Sequence, residues 1–156
     1  MKLRKIFIIQ ILFILSSSQL LFNIPKIKAA EEIKIVYSIF SRTIKVSSLK
    51  RFAEEGYSTR RLKRILKTTG STDEEIRSVL NKDFEVPITV ASKLVYSEIG
   101  NVFLTRLSSI IHPPKANDEQ TGMLALRSSV IQGIKIGNGK INLIDFFEGY
   151  PTKTVI

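Results

Sequence analysis

Residues 90–111 read VASKLVYSEIGNVFLTRLSSII. In the second half Ile99, Val102, Phe103, Leu107, Ile110 and Ile111 recur three and four residues apart, so one side of a helix is apolar. Leu94 and Val95 carry the apolar character back into the first half. Ser97, just before Glu98, is placed to cap the second helix. Outside the extreme N-terminus no stretch is as long or as apolar, so this helix pair is the expected organising element.

The shorter elements are expected to pack on that pair. Downstream, His112-Pro113-Pro114-Lys115-Ala116-Asn117-Asp118-Glu119 is a loop by composition. Gly122–Ile134 is a second strong helix, with Met123, Leu126, Val130 and Ile134 in one stripe. Gly137-Asn138-Gly139 is a turn. Asn142 or a neighbour starts a short helix carrying Leu143, Ile144, Phe146 and Phe147, ended by Gly149, and Thr152–Ile156 is a candidate for a final short strand. Upstream, Ile33, Ile35 and Tyr37 alternate with Lys34, Val36 and Ser38, which predicts a strand. A turn at Phe40–Arg42 and a second alternation at Thr43–Val46 complete a β-hairpin. Three two-turn helices follow. The first is capped by Ser47 or Ser48 and stopped by Gly56. The next starts at Ser58 or Thr59 and carries Leu62, Ile65 and Leu66. The third opens on the capping box Thr72-Asp73-Glu74-Glu75. Helices this short are not stable alone, so they require a larger partner, expected to be the 90–111 pair.

The fold class is therefore mainly α. It is a compact bundle of about six to seven short helices with a small N-terminal β-hairpin and a short C-terminal strand, and residues 31–156 form a single domain. With 156 residues the chain can bury a core unaided, and with no cysteine it must do so without disulfides.

Met1–Ala30 reads as a targeting segment. Lys2, Arg4 and Lys5 precede the apolar run Ile6–Leu15, and the small pair Ala29–Ala30 closes it. The expected localisation is exported, periplasmic or extracellular, with the segment cleaved or retained as a membrane anchor. Five of the 24 basic residues and none of the 14 acidic ones lie in this segment, which takes the formal charge from +10 to +5 for the remainder. A mildly basic domain is no argument for nucleic-acid binding, and none is expected.

Familiar chemistry is missing. No serine sits in a G-x-S-x-G elbow. His112 is the single histidine, so neither a His-based metal site nor, without cysteine, a common zinc site can be assembled. It is expected to sit against the end of the apolar helix. Gly133–Lys140 looks like a phosphate loop but has the wrong glycine spacing, and Ile141 stands where Ser or Thr is required. Glu54-Glu55 and Asp73-Glu74-Glu75 are adjacent carboxylates on a solvated surface, unlike an acid–base pair. No catalytic, cofactor-binding or metal-ligating residue is expected.

Four stretches carry a resemblance: IVYSIFSRTIKVSSLKRFAEEG (35–56), PITVASKLVYSEIGNVFLTRLSSII (87–111), GMLALRSSV (122–130) and NLIDFFEGYPTKTVI (142–156). Their order and pattern resemble the helical domain of unknown function at the N-terminus of a family of exported cyanobacterial α/β-hydrolases. Two departures stand out: Ser38-Ile39 replaces a Gly-Pro turn, and KLVY at Lys93–Tyr96 is one residue looser than the family spacing. The resemblance implies a non-catalytic accessory domain that covers or docks onto a hydrolase or another exported partner. The alternative is the N-terminal part of an esterase- or lipase-like hydrolase whose catalytic domain lies outside this chain. Because the family's catalytic serine, acid and histidine have no counterparts here, no site residue is carried over.

One surface feature has its own expectation. At about 100° per residue Arg60, Lys63, Arg64 and Lys67 form one stripe, opposite Leu62, Ile65 and Leu66. Cations in a first helical turn oppose the macrodipole, so local stability does not account for Arg60 and Arg61. The stripe is either a solvated face or a contact for an anionic membrane surface or acidic partner.

Overall fold

The alternation at the N-terminal end forms strand β1 (Glu32–Tyr37), paired antiparallel along its length with β2 (Phe40–Lys45). The structure, a computed structural model, describes residues 29–156 other than Ser38 and Asn117. Apart from Ala29 and Ala30, the targeting segment lies outside the described residues. Ala30 is buried in the core. Tyr37 pairs with Phe40, so Phe40–Arg42 are strand and the expected turn there is incorrect.

Seven α-helices follow among the described residues: α1 (Val46–Glu55), α2 (Arg60–Leu66), α3 (Asp73–Leu80), α4 (Ile88–Val95), α5 (Glu98–Ser108), α6 (Glu119–Ile136) and α7 (Leu143–Glu148). The mainly α reading, with its hairpin and C-terminal strand, is what the structure shows. Most helix ends obey their sequence signals. Thr59 caps α2, Thr72 and Glu75 form the capping box of α3, Ser97 caps α5, Asp118 caps α6, and Asn142 with Asp145 caps α7. Pro87 precedes α4 in an extended conformation. Gly56 ends α1 with φ 74°, a left-handed conformation that costs glycine little. Helix α1 is the exception: it starts at Val46 after Lys45, directly out of β2, and neither Ser47 nor Ser48 caps it.

Two sheets tie the helices together. Strand β5 (Thr154–Val155) lies parallel to β1, giving the order β2-β1-β5. Two-residue strands β3 (Phe84–Glu85) and β4 (Lys140–Ile141) pair antiparallel, an element the sequence pattern did not reveal.

The organising helix is α6, not the 90–111 pair. Helices α4, α5 and α7 all pack on it. Its buried set mixes Gly122, Ala125, Ser129 and Gly133 with Leu126 and Ile134, and small residues let neighbouring backbones come close. At the α6–α7 contact a Cβ on Gly149 would stand 2.6 Å from the Gly133 nitrogen, so that position admits only glycine without movement. One core cluster joins Val46, Val95, Leu104, Leu126, Tyr150 and Val155. The second joins Leu49, Phe52, Leu62, Leu66, Leu80 and Ile144. Ile144 belongs to α7, so the short helices α1–α3 pack against one another, α7 and the hairpin rather than on α4 and α5.

Candidate functional site

Two elements leave a surface that the core does not use. Helix α4 ends at Val95 and α5 starts at Glu98, so the chain turns within two residues. The turn is tight: a Cβ on Gly100 would lie 2.0 Å from the Leu94 carbonyl oxygen, which no side chain tolerates. Ser97 Oγ accepts the Gly100 N–H at 3.0 Å and donates to the Leu94 carbonyl at 2.7 Å. Arg127, from α6, reaches across. Its Nε donates to the Val95 carbonyl at 3.0 Å, its Nη2 donates to Asn101 Oδ1, and the guanidinium stands 4.3 Å over the Tyr96 ring. The sequence alone does not choose between a helix C-terminus and a carboxylate for Arg127; the structure gives the C-terminus of α4.

This elbow fixes which side of α5 is buried. Gly100, Leu104 and Ser108 face inward, and Leu107 and Ile111 are partly covered by the core. The stripe of Ile99, Val102, Phe103 and Ile110 points away, with 79%, 55%, 63% and 71% of each residue's surface exposed. Val90 and Leu94 of α4, and Tyr96 after it, are exposed as well. Glu98 and Arg106 border a shallow depression over Ile99, Val102 and Phe103. The helical period of this stretch is as its sequence predicts, but much of its apolar side faces out. A run of exposed large apolar side chains at helical spacing is the mark of a docking surface rather than scattered surface hydrophobicity.

Arg60, Lys63 and Arg64 lie on α2, and Lys67 begins the 3-10 turn Lys67–Thr69 that follows; all four are exposed. Leu62 and Leu66 are buried on the opposite side and Ile65 is half-buried, as the spacing predicts. Among the described residues no ion pair engages the four cations.

The remaining candidates dissolve into structure. His112 Nδ1 lies 3.0 Å from the Pro113 carbonyl, and its backbone exchanges two 2.9 Å bonds with Ile156, so it closes the C-terminus instead of capping a helix with its ring. Glu54, Glu55, Asp73, Glu74 and Glu75 are exposed, and the last three occupy the first turn of α3, where they suit the macrodipole. Gly133 is packed against Ile141 and the backbone of α7. Among the described residues no three His, Asp or Glu side chains converge on a metal position. No described helix is long and apolar enough to cross a membrane.

The titratable groups that depart from ordinary behaviour serve the scaffold. Lys50 of α1 and Glu148 of α7 pair at 3.0 Å, and that hydrogen bond holds the Lys50 pKa above its usual value. Burial raises the Asp145 carboxyl. Tyr150 is fully buried with its hydroxyl unpartnered among the described residues, and burial pushes its phenol far up.

The molecule is thus mainly α, with no assembled catalytic constellation and with an uncovered apolar helix face among its described residues. A family profile described as "Alpha/beta hydrolase of unknown function (DUF1400)" matches residues 29–156, and the chain belongs to that family. No curated protein and no solved structure matches the chain.

Proposed function

We propose that this chain is an exported, non-catalytic helical domain that docks onto the catalytic domain of an α/β-hydrolase. The observation that carries the reading is the uncovered stripe Ile99, Val102 and Phe103 on α5, continued by Ile110 in the turn after it, with Val90 and Leu94 of α4 also exposed. Its support is twofold. The family carries a hydrolase description, while the described residues hold neither a G-x-S-x-G elbow nor a layered parallel sheet. The hydrolase part is then a separate domain, and an exposed apolar helix face is the surface such a domain would cover. Met1–Ala30, with its basic start and apolar run, supports export.

The test mixes residues 29–156 with a purified catalytic hydrolase domain of the family and follows association by gel filtration. Association is expected, and the double variant Ile99→Ser, Phe103→Ser should abolish it while leaving the circular dichroism spectrum unchanged. Association that ignores this variant, or none at all, overturns the docking reading. The isolated chain should show no turnover of a short p-nitrophenyl ester. Turnover surviving re-purification and abolished by one point substitution would falsify the non-catalytic part.

A further inference from the structure

The sheet is incomplete on one side. Strand β2 covers β1 along all six residues, but β5 covers the opposite edge only at Glu32 and Ile33, through Thr154 and Val155. Ile156 continues that register opposite Lys34, and among the described residues no strand lies against Ile35–Tyr37 on that side. An uncovered edge leaves backbone N–H and C=O groups ready to pair with another extended chain. Beside it runs a groove of about 500 Å³, lined by Ile35, Val36, Ile110, Ile111, Phe147 and Ile156. Ile35 and Val36 are exposed to nearly half or more of their surface, and Ile110, in the turn after α5, is also the exposed residue that continues the α5 stripe. The groove is therefore continuous with the proposed docking face.

From these features we infer that the groove seats an added β-strand, an extended apolar segment running parallel to β1 along Ile35–Tyr37. Register and lining fix its chemistry. Thr154 and Val155 pair with Glu32 and Ile33, Ile156 follows in that register opposite Lys34, and the next place in the parallel ladder lies opposite Ile35. Three residues of edge give a span of about 10 Å at about 3.3 Å per residue. Alternate side chains of the incoming segment would enter the groove, whose lining holds Lys34 and His112 but no acid, so β-branched apolar residues fit there. Main-chain bonds supply affinity and the groove supplies selection, the pattern of strand addition. The segment is assigned to the hydrolase domain, and that identity alone rests on the function proposed above.

The slot is tested without a hydrolase. Val-Thr-Val-Thr is appended after Ile156 of residues 29–156, with Gly-Ser-Gly-Ser as control, and amide hydrogen exchange is followed at Ile35–Tyr37. The Val-Thr extension should slow exchange there at least tenfold relative to the control. Adding Ile110→Asp, a change at an exposed position that leaves the core intact, should return exchange to the control rate. Equal exchange in the two extended chains, or protection indifferent to Ile110→Asp, overturns the slot. A second arm measures the same amides in the unextended chain mixed with the catalytic domain. Protection there supports the hydrolase as source. Association without protection overturns that source while leaving docking through α4 and α5 intact.

Discussion

Arg127 stands 4.3 Å over the ring of Tyr96 while its Nε donates to the carbonyl of Val95 at 3.0 Å, so one side chain of α6 holds the end of α4 by two different forces. The cation meets the negative end of the α4 dipole and the electron-rich ring face together. Its donor to Asn101 extends the hold into the first turn of α5. Arg127 thereby sets the angle at which the apolar stripe is presented. Arg127→Leu should cost about 1–3 kcal/mol, since it removes a charge-assisted bond and leaves the Val95 carbonyl half-served. Arg127→Lys should recover little, because an ammonium cannot serve a carbonyl, an amide and a ring from one plane. Urea midpoints for both variants check this; a wild-type midpoint for Arg127→Leu would mean that Gly100 alone fixes the elbow.

The two sides of the long helices should respond oppositely. Leu126 is fully buried, and Leu126→Ala should cost about 2–5 kcal/mol. Ile99→Ser and Phe103→Ser remove more apolar surface from the sequence but from solvated positions, and should move stability by no more than about 0.5 kcal/mol each. Urea titration of the three variants separates core from docking face. A multi-kcal/mol loss at Ile99 would mean that this face is packed.

That contrast shows where the sequence was readable. Local rules worked wherever a few neighbouring residues settle the outcome. The caps at Thr59, Thr72, Ser97 and Asn142, the turn at Gly137–Gly139 and the β1 alternation all form as their residue types require. The orientation of α5 was not readable. Its buried face is built of Gly100 and Ser108, which carry little hydrophobic signal, with Leu104 the one large apolar residue between them, while Ile99, Val102 and Phe103 face solvent. Apolar residues at the surface break no packing rule, so periodicity finds the stripe but not which way it points. Strands β3 and β4 are two residues each, too short for any alternation to announce. The candidate docking face was legible as a pattern and illegible as a site.

Tyr150 offers a stabilising substitution. Its ring fills the core between α6 and α7, yet its hydroxyl has no partner among the described residues. An unpaired buried hydroxyl costs about 1–3 kcal/mol, so Tyr150→Phe keeps the ring and removes the penalty. The thermal midpoint should hold or rise. A drop of several degrees would place an unseen hydrogen-bonding partner, such as a buried water, at that oxygen.

The pH response has two opposite signs. Lys50 is held above its ordinary 10.5 by its bond to Glu148. Its contribution is full below pH 10.5 and is lost as pH rises through the raised value. Asp118 is held below its ordinary 3.8 by the N–H of Thr121, and its capping contribution is full above pH 3.8 and lost as pH falls through the lowered value. Asp145, raised by burial, works against Asp118 in acid, since its contribution is full below pH 3.8 and fades as pH rises through the raised value. Thermal midpoints of Lys50→Gln should lie below wild type at pH 8 and converge with it above pH 10.5. Those of Asp118→Ala should lie below at pH 7 and converge below pH 3.8. A gap that stays constant across either range would show that packing, not charge, carries the effect.

The basic stripe is a separate question from the apolar one. Arg60, Lys63, Arg64 and Lys67 are exposed, and their own helix turns Leu62 and Leu66 into the core, so the cations are free to face outward together. Helix α2 has no acidic residue in its first turn to balance Arg60 and Arg61. We propose that the stripe meets an anionic membrane surface, where each basic residue adds about 1 kcal/mol and the attraction fades within a Debye length. Residues 29–156 should sediment with phosphatidylglycerol-containing vesicles at low salt, release as salt approaches physiological strength, and ignore neutral phosphatidylcholine vesicles. The Arg60/Lys63/Arg64/Lys67→Gln variant should lose binding by at least tenfold, whereas Ile99→Ser with Phe103→Ser should retain it. If the apolar variant alone releases the vesicles, the membrane contact belongs to α5. Failure to sediment even at low salt would leave the stripe a solvated face with no lipid partner.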